Sequence, residues 1–274
     1  MTICTKADID ALETRPFDEI YPLRTPWDII RAAGESHGEK TAIRYLHDAA
    51  DPSRDEVVTY ADLAARCMGA ARVFRDLGVV PGRSVAILAQ HTPMAQVALW
   101  GAQIAGHACP INPMLKPAHV ASLLTAAGAS ALVVTGSNPE IDYWSTLVPA
   151  LRAEGVTLPI LSIDGDGPGG DGDLASLIER ATDPVTPEGD EHALAAYYHT
   201  GGTTGTPKLV RHSRLNEAHV GRSCALLHDL GSDDVVVNGF PLFHVAGAFV
   251  YGLSTLSAGG TLVIPGRLGM RNRA

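Results

Sequence analysis

From residue 60 to residue 163, apolar runs suited to buried strands alternate with segments of helical period, and this order confines the chain to α/β architectures with a largely parallel sheet. The clearest helix is expected over residues 60–77, where Leu63, Cys67, Ala70, Phe74 and Leu77 recur at spacings of four and three and so share a face. Gly78 stands where a C-terminal cap belongs. A strand over 84–89 follows, then a helix over 93–105 whose Pro93 suits a first turn. The pattern repeats as strand 107–111, helix 117–127, strand 131–135, helix 139–154 and strand 158–163, a series that makes a doubly wound sheet. After a break over 182–190 come a strand over 193–198, a helix over 212–227, a strand over 234–238, a helix over 244–257 and a strand over 261–264.

With 274 residues and 46% hydrophobic content the chain can bury a sizeable core, enough for one large domain or two small ones. Its 30 acidic against 21 basic residues give a formal charge of −9, which argues against a surface built for nucleic acid. Cys4, Cys67, Cys109 and Cys224 are scattered with no Cys-x-x-Cys pair, so neither a zinc site nor a disulfide framework is indicated and reduced thiols are expected. Lys6 and Asp8 stand where an export signal needs an apolar core, and a cytoplasmic location is expected. Residues 240–264 carry no charge and are long enough to cross a bilayer, but Pro241, His244, Ser254, Thr255 and Ser257 point instead to a buried helix and strand broken at Gly259 and Gly260. The Asp/Gly-rich stretch 164–173 reads as a solvated loop; a calcium loop is disfavoured because no glutamate closes it and Pro168, Gly169 and Gly170 break the ligand spacing.

Chemistry concentrates in Thr200-Gly201-Gly202-Thr203-Thr204-Gly205-Thr206-Pro207-Lys208, which follows the apolar strand over 193–198. Three glycines permit close backbone approach, four threonines offer hydroxyl donors, and Lys208 supplies a point charge. Placed between a strand and the helix expected over 212–227, such a loop makes a cradle for phosphate. It is not a Walker loop, because Thr206 and Pro207 separate Gly205 from Lys208 and Leu209 follows the lysine.

The order of this loop resembles the signature of the acyl-adenylating (AMP-binding) superfamily, which includes acyl-CoA synthetases, luciferases and nonribosomal peptide adenylation domains. A second segment, Phe240-Pro241-Leu242-Phe243-His244-Val245-Ala246-Gly247, resembles that family's next core motif. Upstream, Thr59-Tyr60-Ala61-Asp62-Leu63, residues 78–87 and residues 105–113 also look like its amino-terminal half, so the resemblance covers nearly the whole chain and leans toward a fatty-acyl-CoA synthetase. Leu209 departs from the glycine usual after the lysine.

The resemblance implies attack of a carboxylate on the α-phosphorus of ATP, release of pyrophosphate, and transfer of the acyl group to the thiol of CoA, with Mg2+ accompanying the nucleotide. Thr200, Gly201, Gly202, Thr203, Thr204, Gly205, Thr206 and Lys208 would hold the ATP phosphates, Thr204 would meet the magnesium, and Lys208 and His244 would carry the catalytic roles. His244 is read either as a donor beside the acyl carboxylate or as a histidine satisfied within an apolar helix. His199 and His212 stand near the loop with phosphate and structural roles both open. Residues 1–185 are expected to form a first α/β subdomain with an N-terminal extension, and 186–274 the start of a second that carries the loop. The family's later Tyr-Gly-x-Thr-Glu segment, ribose-binding aspartate and small mobile domain are not found, so the chain is expected to be an amino-terminal portion with an unpaired sheet edge and marginal stability. The rivals are a catalytically inactive nucleotide-binding or interaction module and a fragment of an amino-acid adenylation domain. A hydrolase lacks support, because no Gly-x-Ser-x-Gly is present.

Overall fold

Thr5, Thr25, Thr59 and Thr92 each stand one residue ahead of a helix, in extended backbone, and accept a bond from the amide three residues on. Asp173 and Ser213 do the same further along, and Asp142 accepts the Ser145 amide in the same way from a less extended backbone. The computed structural model describes residues 4–138, 142–200 and 208–266. Its elements run α1 (Lys6–Glu13), α2 (Phe17–Ile20), α3 (Pro26–His37), β1 (Thr41–Tyr45), β2 (Glu56–Thr59), α4 (Tyr60–Asp76), β3 (Ser84–Leu88), α5 (Pro93–Ala105), β4 (His107–Pro110), α6 (Pro117–Ala126) and β5 (Ala129–Thr135). They continue as α7 (Tyr143–Ala153), β6 (Ile160–Ile163), β7 (Gly172–Asp173), α8 (Leu174–Arg180), β8 (Leu194–His199), β9 (Leu209–Ser213), α9 (Arg214–Leu227), β10 (Val235–Val237), a π-helix over Ala246–Leu253, α10 (Ser254–Ser257) and β11 (Thr261–Ile264).

Seven strands form a sheet in the order β7-β6-β5-β3-β4-β8-β9, parallel except where β9 runs against β8. Both faces of its centre are covered, which is why the strands read as continuous apolar runs. Val85, Ile87, Ala131 and Val133 enter the cluster that α4 and α5 pack into, whereas Ala86, Leu88, Leu132 and Val134 face α6 and α7. The doubly wound α/β architecture expected from the alternation is therefore present. Helix α5 is buried on nearly every side; Gly101 lets it close on α4, for a Cβ there would lie 2.6 Å from the Ala70 Cβ.

A second sheet runs β10-β11-β1-β2, with β1 and β11 parallel and β1 and β2 antiparallel. Each sheet takes strands from both sides of residue 185. Strand β10 lies at an edge, where Val235 and Val237 are exposed.

One expectation holds with an addition and another needs correction. Residues 164–173 are largely exposed, as expected of a solvated loop, but are tied to the fold: Trp144 Nε1 donates to the Pro168 carbonyl at 3.1 Å, the Asp171 carboxylate accepts the Ile160 amide at 2.8 Å, and β7 pairs with β6. Gly167 and Gly170 lie so near the Trp144 ring that a Cβ would come within 3.0 and 2.7 Å of it, so these glycines serve packing. The helix expected over 244–257 begins at Ala246 and winds as a π-helix before becoming α10, with the Ser254 and Thr255 hydroxyls donating back to the Val250 and Tyr251 carbonyls. Gly259 breaks from it at φ +75°, and β11 follows. No helix among the described residues is long and apolar enough to cross a membrane.

Candidate functional site

Strand β8 carries the chain to Thr200, and the Thr200 amide donates to the Lys208 carbonyl at 2.9 Å. Leu209 then pairs with His199, Val210 with Tyr198 and Arg211 with Tyr197, all antiparallel. The loop thus closes a hairpin, and the expectation that it leads from strand into helix is overturned. Residues 209–213 cover the outer edge of β8, and Leu209 packs on the cluster beneath, a place glycine could not fill. Helix α9 starts only at Arg214, capped by Ser213, so its N-terminus does not open from the loop. Gly201, Gly202, Thr203, Thr204, Gly205, Thr206 and Pro207 lie outside the described residues. Lys208, at the start of the returning limb, is exposed.

The second segment is a turn clasped by one buried side chain. Asn238 Nδ2 donates to the Gly247 carbonyl at 2.8 Å, while its Oδ1 accepts the Phe240 amide at 3.2 Å. Gly247 is required, since a Cβ there would fall 2.4 Å from the Pro241 carbonyl oxygen. His244 sits on the turn, ahead of the helix and exposed, with its amide donating to the Pro241 carbonyl at 3.1 Å. Its Nδ1 accepts the Ala246 amide at 3.1 Å, which fixes the neutral ring with its proton on Nε2. A histidine satisfied within the apolar helix is not what forms here.

The two segments meet through rings. His199 stacks on Phe243 at 6.0 Å, and Tyr198 meets Phe249 edge-on at 5.1 Å. His212, on β9, packs against both Tyr198 and Phe249. The histidines that flank the loop have structural partners: His199 Nε2 accepts the Asn112 amide at 3.0 Å, and His212 Nδ1 lies 3.0 Å from Asn216 Oδ1. Burial lowers the pKa of both rings, against a smaller opposing effect of the hydrogen bond each one makes.

Behind β8 lies a buried acid. Glu217 on α9 is fully enclosed, Gln103 Nε2 donates to its Oε2 at 2.7 Å, and burial pushes its carboxyl up to about 8. Sequence reasoning missed Glu217, Asn112, Asn238 and the buried His91. Asn238 ends an apolar strand just ahead of the second segment, the one local signal that could have marked it. The others are polar residues in helices or at strand ends, with no pattern to separate them from surface. Among the described residues no three His, Cys, Asp or Glu side chains converge as a metal-binding group.

A family model described as "AMP-binding enzyme" matches residues 30–273. Among curated proteins the chain is similar to the marinolic acid–CoA ligase of Pseudoalteromonas sp. (strain SANK 73390), with 29% identity over 280 residues that cover 98% of this chain and 42% of that protein. It is similar to the long-chain-fatty-acid–CoA ligase FadD13 of Mycobacterium tuberculosis (strain ATCC 25618 / H37Rv), with 30% identity covering 72% of this chain and 37% of that protein. The chain therefore spans about two fifths of the length of these relatives. Its fold is shared by the inhibitor-bound N-terminal domain of FACL13 from Mycobacterium tuberculosis, at a TM-score of 0.73 and 23% identity over 88% of this chain and 57% of that one.

Proposed function

The chain belongs to the AMP-binding enzyme family, and from that premise we propose that it supplies the phosphate-handling and acid-facing part of an ATP-dependent ligase. The reaction joins a carboxylic acid to the α-phosphate of ATP as an acyl adenylate, releases pyrophosphate, and passes the acyl group to the thiol of coenzyme A. The observation that carries this reading is the stack of His199 on Phe243, which sets the base of the Thr/Gly loop beside the turn that bears His244. One end of the site then faces phosphate and the other the acid.

In such a reaction negative charge moves onto the departing pyrophosphate. Donors fixed in advance around the β- and γ-phosphates stabilise that charge more in the transition state than in the ground state. The amides and hydroxyls of residues 200–206 and the Lys208 ammonium are proposed as those donors. The Thr204 hydroxyl, a hard oxygen donor, is the residue of this chain proposed to meet a magnesium ion, which would offset the charge of the ATP phosphates. His244 keeps its Nε2–H as a donor for the acid's carboxylate. Phe240 and Tyr251, stacked at 5.3 Å, add apolar surface near the turn and favour a fatty or related acid. A cytoplasmic setting fits the proposed substrates.

Pyrophosphate exchange into ATP, measured with a panel of carboxylic acids of rising chain length, tests the proposal. Exchange that depends on one class of acid supports it and names the class. A second reading is a nucleotide-binding module without turnover. ATP binding with no exchange for any acid would select it.

A further inference from the structure

His91 is buried at the entrance to α5, one residue before the Thr92 cap, and both of its ring nitrogens are engaged. Nδ1 lies 2.8 Å from the Phe240 carbonyl oxygen, and Nε2 lies 2.8 Å from Gln96 Nε2. The direction of each bond follows from the far end. Trp100 Nε1 can only donate, and it donates to Gln96 Oε1 at 2.8 Å. The nitrogen of the Gln96 amide therefore faces His91 and donates to Nε2, which leaves Nδ1–H to donate to the Phe240 carbonyl. Gln96 and Trp100 are fully buried one helical turn apart, so the relay is held by the most enclosed helix of the fold.

The carbonyl it reaches is the last anchor before the turn that carries His244. Pro241 has no amide with which to tie the turn down. Asn238 holds the Phe240 amide, Gly247 closes on the Phe240 and Pro241 carbonyls, and the His244 amide bonds the Pro241 carbonyl. A displacement at Phe240 is thus passed directly to His244.

We propose that His91, oriented by Gln96 and Trp100, is a positioning residue that holds the Phe240 carbonyl and thereby sets where the His244 ring meets the acid substrate. The inference rests on the reading of the His244 turn as acid-facing. It predicts a selective defect. His91→Phe, which fills the space without a donor, is expected to raise KM for the acid about tenfold, the effect of losing one well-made hydrogen bond, and to leave KM for ATP within about twofold. His91→Asn puts an amide nitrogen where Nδ1 stands and is expected to bring KM for the acid back to within about threefold of the parent.

The test is pyrophosphate exchange on the full chain and both variants, with histidine 15N spectra recorded on the same samples. Equal rises in both KM values, or no rescue by His91→Asn, overturn the proposal. If the parent chain shows no exchange, the functional reading fails on its own and the spectra decide. His91 is then expected to carry its proton on Nδ1, and His91→Phe to shift the His244 ring signals while His91→Asn leaves them in place. A proton on His91 Nε2, or His244 signals unmoved by His91→Phe, overturns it. Should His91→Phe fail to fold, Gln96→Leu, which cuts the relay with the His91 ring retained, is read against the same two signatures.

Discussion

The rings of His199 and Phe243 stack at 6.0 Å with their planes 22° apart, and through that contact two segments distant in sequence share one surface. His199 is held on its other side by the Asn112 amide, and Phe243 precedes the exposed His244. Phe243→Ala is therefore expected to loosen both halves of the site together. It should cost stability of about 0.5–1.5 kcal/mol beyond the lost apolar area and raise KM for ATP and for the acid alike. Thermal unfolding and exchange kinetics on the same variant check this, and a change in one KM alone would count against the coupling.

Lys208 is exposed at the foot of the loop, so its removal separates chemistry from stability. Lys208→Ala is expected to keep the melting temperature while slowing exchange by about a hundredfold to a thousandfold, as loss of one preorganised donor to developing charge does elsewhere. Thr204→Ala should do likewise. Unfolding curves beside exchange rates decide it, and undiminished exchange in either variant would remove the loop from the mechanism.

The parts of this fold that sequence alone revealed are those whose partners are close in the chain. Strands β3 to β6 and the helices between them form successive parallel units, and their apolar runs announce burial on both faces. Strand β1 was missed because it pairs with β11 at the opposite end of the chain, and no local pattern encodes that partner. Strand β9 is not announced by the sequence, and its last residues, His212 and Ser213, fall at the start of the helix expected over 212–227; it is a strand because β8 has an edge to cover. The loop and the His244 turn were legible as motifs, since glycine, threonine and proline mark themselves. Their supports, Asn112, Asn238 and His91, act through tertiary hydrogen bonds that leave no periodic trace.

Burial lowers the His91 pKa to about 4, and the Phe240 carbonyl only partly opposes this. The unfolded chain takes up a proton near the usual 6.5 that the folded chain refuses until about 4. Stability is thus expected to fall as pH drops through that window, by roughly 1.4 kcal/mol per pH unit. Urea unfolding between pH 7 and pH 4 should show this slope, reduced in His91→Asn. An equal slope in the variant would place the acid sensitivity elsewhere.

Glu217 works in the opposite direction. Among the described residues, Gln103 Oε1 and Glu217 Oε1 lack hydrogen-bond partners, although the Gln103 amide already bonds the other carboxyl oxygen at 2.7 Å. A proton on Glu217 supplies the donor this acid–amide pair lacks, and burial favours that neutral form up to about pH 8. The groups around it agree: Arg214, on the same helix, spends its guanidinium on the Gly189 and Gln103 carbonyls, and the buried Tyr198 hydroxyl is raised first by burial and then by the Glu217 charge. The folded chain holds a proton between pH 4.5 and 8 that the unfolded chain has released, so this group's contribution is complete below about 4.5 and is lost as pH rises to about 8. Glu217→Gln keeps the amide contact and removes the proton. It is expected to be near neutral at pH 5 and to gain on the parent steadily toward pH 8, measured by urea unfolding at both. A parent whose advantage over Glu217→Gln grows with pH would show instead that Glu217 is ionised in the folded chain.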